Sequence, residues 1–159
     1  MWCHEGRTGN RRKAYYDAGR KLLSLGRSED ALRMLVRAGE LGDLEALVDV
    51  ALYTLQGVGT PRDILRAVEL LEAAYKRGAP MAANWLLLIY EGNLSLAAHM
   101  RDPMKATMWR YVPLVAADMS DLSPAWIYGQ EMGLTDDQVR EAHRRAVKWV
   151  AENLPPRRR

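Results

Sequence analysis

Three histidines, His4, His99 and His143, and one cysteine, Cys3, are the residues with which this chain could bind a transition metal or drive nucleophilic chemistry. A zinc site gathers ligands that usually come in closely spaced pairs. No histidine here lies three or four residues from another histidine or a second cysteine, so Cys3-His4 would need ligands from elsewhere. The plainer reading is a frayed chain end. His143 has Glu141 nearby but sits among charged residues, where a solvated imidazole is expected. Carboxylates are paired at Glu40 and Asp43, Glu69 and Glu72, and Asp136 and Asp137. None has the apolar setting that tunes a general acid or base, and there is no Gly-x-Ser-x-Gly elbow for a serine hydrolase. Gly57-Val58-Gly59 resembles a phosphate cradle, yet it lacks the Lys-Ser/Thr of a P-loop and follows a helical pattern rather than a strand. Those glycines suit a tight turn between packed helices. The expectation is a non-enzymatic protein with no catalytic residue, cofactor or metal.

At 159 residues, 48% hydrophobic and 27% charged, the chain can bury a core and does not have the composition of a disordered protein. No apolar run approaches the roughly 20 residues that a membrane helix needs. The N-terminus carries no apolar signal region, which points to the cytoplasm by default; a mature or trimmed periplasmic fragment would look the same. One cysteine leaves the redox compartment open. The net charge of +3 is concentrated at the ends, in Arg7, Arg11, Arg12 and Lys13 and in Arg157-Arg158-Arg159. Basic ends can meet nucleic acid or an acidic surface. No stacking aromatics accompany the tail arginines, so solvated ends are expected and a nucleic-acid partner is not.

The elements that must position any functional residue are helical, because apolar spacing follows the 3.6-residue period and nothing alternates like a strand. The first helix is expected from Arg11 to Leu25, with Ala14, Ala18, Leu22 and Leu25 on one stripe. Ser28 is the expected cap of a second, carrying Ala31, Leu35 and Ala38. A third spans about Asp43 to Gln56. Thr60-Pro61-Arg62-Asp63 then offers a cap, a proline at the first helical position and an acid in the first turn of a fourth. A fifth covers Met81 to Glu91. Asp102-Pro103 opens a sixth, in which Pro113 should cause a kink or a split. Ser123-Pro124 starts a seventh. Thr135-Asp136-Asp137-Gln138 is a capping box for an eighth. In that last helix Val139, Ala142, Ala146, Val150 and Leu154 share a face, opposite a run of charges.

A period is visible in the small residues: Gly42 to Gly78 and Ala46 to Ala82 are both 36 positions, and Ala14 to Ala46 is 32. Units of this length cannot bury their apolar faces alone and must stack. The expected fold is all-α, an α-solenoid of about four antiparallel helix pairs. Residues 11–152 would form it, with 1–10 an extension and 153–159 a basic tail.

Gly57-x-Gly59-x-x-x-Asp63-x-x-Arg66-Ala67, followed by Ala73-Ala74-Tyr75-Lys76-Arg77-Gly78, resembles the Sel1-like repeat. Leu52-Tyr53 stands for the Leu-Tyr of that pattern, one residue farther from Gly57 than the pattern has it. Asp102-x-x-Lys105-Ala106-x-x-Trp109 matches the middle of a second copy. Residues 134–149 are similar to the terminal helix of bacterial members, and the first unit is as similar to a tetratricopeptide repeat. The third copy departs: Gly57 to Asp63 is 6 positions but Gly92 to Asp102 is 10, a four-residue insertion. The resemblance implies a right-handed TPR-like superhelix and an interaction scaffold or adaptor. An immunity or inhibitor protein that neutralises a toxin or enzyme is the alternative.

In stacked pairs the first helix of each pair lines the groove. The register left after alignment of Ala18-Gly19, Val50-Ala51 and Leu86-Leu87 contains Lys13, Tyr16 and Arg20, then Glu45, Val48, Leu52 and Gln56, then Met81, Asn84, Leu88 and Glu91. Apolar Val48 and Leu52 in such a register suggest a protein ligand; cover by neighbouring helices or by a second copy in a homo-oligomer is the other explanation. The inserted loop, with Leu94, Leu96 and Met100, is a second candidate surface. The aromatic residues, five Trp and seven Tyr with no Phe, are expected mainly in the core.

Overall fold

The computed structural model describes residues 3–119 and 121–156, with side chains from Gly9 onward. Arg157-Arg158-Arg159 and the side chains of Cys3, His4 and Arg7 lie outside the described residues. Those described form eight α-helices and no strand. Contacts divide the chain into two compact units, Met1–Ala79 and Pro80–Arg159.

The first unit holds α1 (Cys3–Ser24), α2 (Ser28–Glu40), α3 (Leu44–Gln56) and α4 (Ile64–Lys76), each packed on the next. Small residues set the crossings: Ala31, Ala38, Ala46, Ala51 and Ala67 are wholly buried. A Cβ on Gly19 would lie 2.8 Å from the Leu35 side chain, and one on Gly39 would lie 2.8 Å from that of Leu47. The backbones meet where side chains are missing. This corrects the expected stripe on the first helix. Its contact face centres on Gly19, so Ala14 is exposed and Leu25 is 63% exposed. The helix also begins at Cys3 rather than Arg11.

The starts of α3 and α4 are fixed by aspartates. Asp43 and Asp63 each accept a hydrogen bond at 2.9 Å, from the N–H of Ala46 and of Arg66. Such a cap satisfies one of the backbone donors that the first helical turn leaves free. Asp63 therefore takes the role expected of Thr60, and Pro61 lies before the helix. Ser28 is the first helical residue and makes no side-chain cap; Arg27 precedes it. The Gly57-Val58-Gly59 turn is structural: Gly59 has φ +71, and a Cβ there would come within 2.4 Å of the Ser28 carbonyl oxygen.

The second unit holds α5 (Met81–Glu91), a 3-10 segment (Ser95–Met100), α6 (Pro103–Ala116), α7 (Ser123–Glu131) and α8 (Asp136–Asn153). Here α6 is central, packed against α5, α7 and α8. Trp109 is 2% exposed and meets Trp149 edge-on, with ring centroids 4.9 Å apart. Asp102 caps α6 through the Lys105 N–H at 3.0 Å, with Pro103 in its first turn, as expected. Pro113 does not split this helix, which runs on to Ala116. The proline lies within the last turn, and its carbonyl still accepts the Ala117 N–H at 2.9 Å. The capping box of α8 forms: Gln138 N–H donates to Thr135 Oγ1, and Thr135 N–H to Gln138 Oε1. Val139, Ala142 and Ala146 are wholly buried, while Val150 and Leu154 are half-buried.

Two alanine substitutions separate turn strain from turn packing. Gly26 (φ +73) has open space where a Cβ would stand, so Gly26→Ala is expected to cost only left-handed strain, about 1–2 kcal/mol. Gly59→Ala adds a backbone clash and should cost about 2 kcal/mol more. Urea unfolding of both variants measures the difference; equal losses would remove the packing role of Gly59.

Candidate functional site

Helix α3 contacts both α2 and α4 and therefore buries two stripes. Ala46 belongs to one, a cluster with Leu35 and Ala38 against which Tyr16, Leu23, Val50 and Tyr53 pack. Val48, Ala51 and Leu55 form the other. This overturns the expected place of Val48 in an exposed register: it is 7% exposed and belongs to the core. Between the stripes runs a narrow strip, Glu45, Asp49, Leu52 and Gln56, with Tyr53 at its edge. Glu45 and Gln56 are exposed, and Asp49, Leu52 and Tyr53 half-buried.

Tyr16 and Arg20, one turn apart on α1, meet this strip. The Tyr16 hydroxyl donates to Asp49 Oδ2 at 3.4 Å, a long bond. Farther along, Arg12 Nη1 donates to the Gly42 carbonyl at 3.4 Å, and its guanidinium lies 3.9 Å from Asp43. Burial lifts Asp49 above the ordinary carboxylate range, and Glu45 and Asp43 add to the rise, against the Arg20 guanidinium and the Tyr16 hydroxyl. Tyr16 is pushed up to about 12, by burial first and then by the Asp49 and Glu45 carboxylates, against Arg20. Tyr53 rises for the same reasons, burial and then Asp49. The structure thus brings Tyr16, Arg20, Glu45 and Leu52 to one face, with Lys13 exposed on α1. It adds Asp49 and Tyr53, which sequence reasoning misses. A signal is present: Asp49 is the only charge in the run from Ala46 to Leu55.

Asn84 is exposed and Leu88 half-buried on α5. Asn84 lines a cleft of about 230 Å³ with Leu87, Arg110, Pro113 and Pro124. Glu91, at the end of α5, accepts on both oxygens: Tyr128 O–H donates to Oε1 at 2.8 Å and Asn93 Nδ2 to Oε2 at 2.7 Å. Burial and that carboxylate raise Tyr128 strongly, against Arg110 and Arg101. In the inserted loop Ala97 is wholly buried, and Leu94, Leu96 and Met100 are half-buried. The loop packs on α5, so its own unit supplies much of the cover that these side chains need. A further cleft, about 520 Å³, has no counterpart in the sequence reading. Tyr111, Trp126, Ile127, Arg140 and His143 line it, with Arg140 5.6 Å from the Trp126 ring centre and the His143 ring 5.0 Å from Tyr111. Its residues come from three helices, a convergence that no local spacing reveals. Among the described residues no group of three or more His, Cys, Asp or Glu could hold a metal ion.

No family model and no curated protein matches the chain. Among solved structures it is similar to c5321, a protective antigen present in uropathogenic Escherichia coli strains and described as displaying an SLR, or Sel1-like repeat, fold. The TM-score is 0.63 at 22% identity, over 91% of this chain and 31% of that one, so the chain spans about a third of the length of that protein. The likeness shows the fold: an all-helical Sel1-like repeat arrangement, as the Gly57–Gly78 motif implies.

The two tyrosine–carboxylate ties should differ in strength. Tyr128→Phe removes a 2.8 Å bond to a carboxylate and is expected to cost about 1–2 kcal/mol, whereas Tyr16→Phe should cost under about 0.5 kcal/mol. Burial also predicts a pH effect. A folded Asp49 that titrates above its unfolded value contributes stability below the unfolded pKa, and loses it as pH rises through the folded pKa. Asp49→Asn should therefore be more stable than the parent at neutral pH, with the gain shrinking as both are acidified below the ordinary aspartate value of 3.8. Urea titrations at the two pH values decide it; a variant weaker at neutral pH would show that ionised Asp49 supports the fold.

Proposed function

We propose that the protein is a non-enzymatic interaction scaffold that holds a protein partner on the face formed by α1 and α3. The observation that carries this reading is the composition of that face. Half-buried Tyr16, Leu52 and Tyr53 lie beside charged Arg20, Glu45 and Asp49, and neither core stripe of α3 uses Glu45, Asp49 or Leu52. Partly exposed aromatic and aliphatic side chains ringed by charges are the usual makings of a protein contact. The fold supports the reading as well, since stacked helical pairs present extended surfaces suited to binding other chains. Fold alone names no partner.

Paired substitutions test the face. Leu52→Arg combined with Glu45→Arg should lose the protein that the parent captures from its native host, identified by mass spectrometry. A control, Leu65→Arg on α4, changes a leucine that is 66% exposed and should capture as the parent does. Both variants should keep the parent's circular dichroism and melt within a few degrees of it. Undiminished capture by the folded double variant would sink the assignment of this face.

A further inference from the structure

We infer that α7 is a detachable cover of the second unit. It opens by local unfolding, as one piece, while α5, α6 and α8 stay packed, and so exposes the surface beneath it. The inference does not rest on the scaffold reading, whose face lies in the first unit.

The helices of the second unit bury very different amounts of apolar surface. Leu86, Ile89 and Tyr90 of α5 are buried, as are Trp109, Tyr111 and Val112 of α6. Val139, Ala142 and Ala146 of α8 join them, and Trp149 meets Trp109 ring to ring. The buried residues of α7 are Ala125 and Gly129, one methyl group and one residue with no side chain. Its larger apolar residues stay outside: Trp126 and Tyr128 are half-buried, and Ile127 is 54% exposed. An element with so little apolar burial opens at a lower free energy than the core around it.

Two clefts adjoin α7. One, about 520 Å³, is lined by Trp126 and Ile127 on α7 and by Tyr111, Arg140 and His143 on α6 and α8. The other, about 230 Å³, is lined by Pro124 on α7 and by Leu87, Arg110 and Leu114 on α5 and α6. Close packing of α7 therefore centres on the line through Ala125 and Gly129. A Cβ on Gly129 would stand 2.8 Å from the Val139 side chain and 3.0 Å from that of Thr107. Both of those residues are wholly buried, and both lie directly beneath the helix.

Polar ties do much of the fastening. Tyr128 O–H donates to Glu91 on α5 at 2.8 Å, and Gln130 Nε2 donates to Asp136 at the start of α8 at 3.0 Å. The second tie is exposed, so the first is the stronger clasp. At the joint to α8, Gly133 is left-handed, with φ +84 and open space where a Cβ would stand. Glycine there can absorb a rotation of the chain. With 9 residues, α7 is shorter than the roughly 12–15 at which an isolated helix is even marginal, so it unwinds as it leaves. Its departure puts Thr107 and Val139 in water and gives the second unit an apolar surface that the closed form lacks.

Amide hydrogen exchange of the full-length protein, followed by NMR in urea below the unfolding transition, tests the cover. Hydrogen-bonded amides of α7 should exchange about tenfold or more faster than the slowest amides of α6 and α8. Tyr128→Phe should speed α7 by about tenfold again, because opening no longer breaks the bond to Glu91. Trp149→Phe discriminates, since its contact with Trp109 persists when α7 opens alone. That variant should speed the slowest amides of α6 and α8 and leave α7 unchanged. One common rate for the three helices, or an α7 that accelerates with the others on Trp149→Phe, would overturn the cover.

Thiol labelling supplies a second readout that does not depend on Trp149→Phe folding. Thr107→Cys, combined with Cys3→Ser, places a lone thiol beneath Gly129. Its labelling should outpace global unfolding and rise about tenfold on Tyr128→Phe. Labelling no faster than global unfolding counts against the cover and leaves the α1–α3 face untouched.

Discussion

Close approach of helix backbones at alanine and glycine is the constraint from which the remaining structure follows. At Gly19 the Leu35 side chain occupies the space that a Cβ would fill, Leu47 does the same over Gly39, and Val139 over Gly129. Each of these contacts fixes two helices at once, since a side chain that has replaced a missing Cβ cannot slide along the helix without a clash. Large residues then complete the core between crossings: Leu35, Leu55 and Leu71 in the first unit, and Trp109, Tyr111 and Val139 in the second. The helices are held in register by absence on one side and bulk on the other. Because α3 is gripped on two sides in this way, only a thin strip of it remains for anything other than packing.

How much of this can be read from the chain depends on how local the determinant is. Helix starts at Asp43 and Asp102 and the capping box of Thr135 and Gln138 involve residues within three positions of one another, and the sequence shows them directly. The repeat motif from Gly57 to Gly78 is also local, and the fold of c5321 matches what it implies. Rotation of a helix about its axis is different. The stripe through Ala14 and Leu25 satisfies the helical period, but the true face passes through Gly19, which has no side chain to count as apolar. Val48 escapes the sequence reading for a related reason: its register allows one buried stripe, where two neighbours demand two. Periodicity finds the helix; the number of neighbours decides how much of it is covered.

Polar residues in the remaining strip carry a cost that packing does not explain. Burial holds Asp49 above its usual range, and Tyr16 and Tyr53 rise with it. Groups perturbed by desolvation beside specific charges concentrate where proteins bind or react. Structural ion pairs on this molecule look different. Arg66 with Glu69, Arg140 with Asp137, and Arg144 and Arg145 with Glu141 are exposed partners three or four positions apart on one helix. Such pairs contribute a few tenths of a kcal/mol each. Asp49 instead meets a tyrosine on another helix, which sets it apart from these pairs.

The inserted loop shows why variation and function need not coincide. Both glycine turns close alike: the Asp63 N–H returns to the Thr54 carbonyl at 3.0 Å, and the Asp102 N–H to that of Tyr90 at 2.8 Å. A Cβ on Gly57 would meet Arg62, and one on Gly92 would meet Arg101, so the residue before each capping aspartate covers its glycine. The four extra residues are accommodated between those fixed ends as a 3-10 segment that buries Ala97. Its apolar residues thereby serve its own unit before any partner. A surface is better judged by what the fold leaves unsatisfied than by where the chain is longer. On that measure the insertion is largely complete.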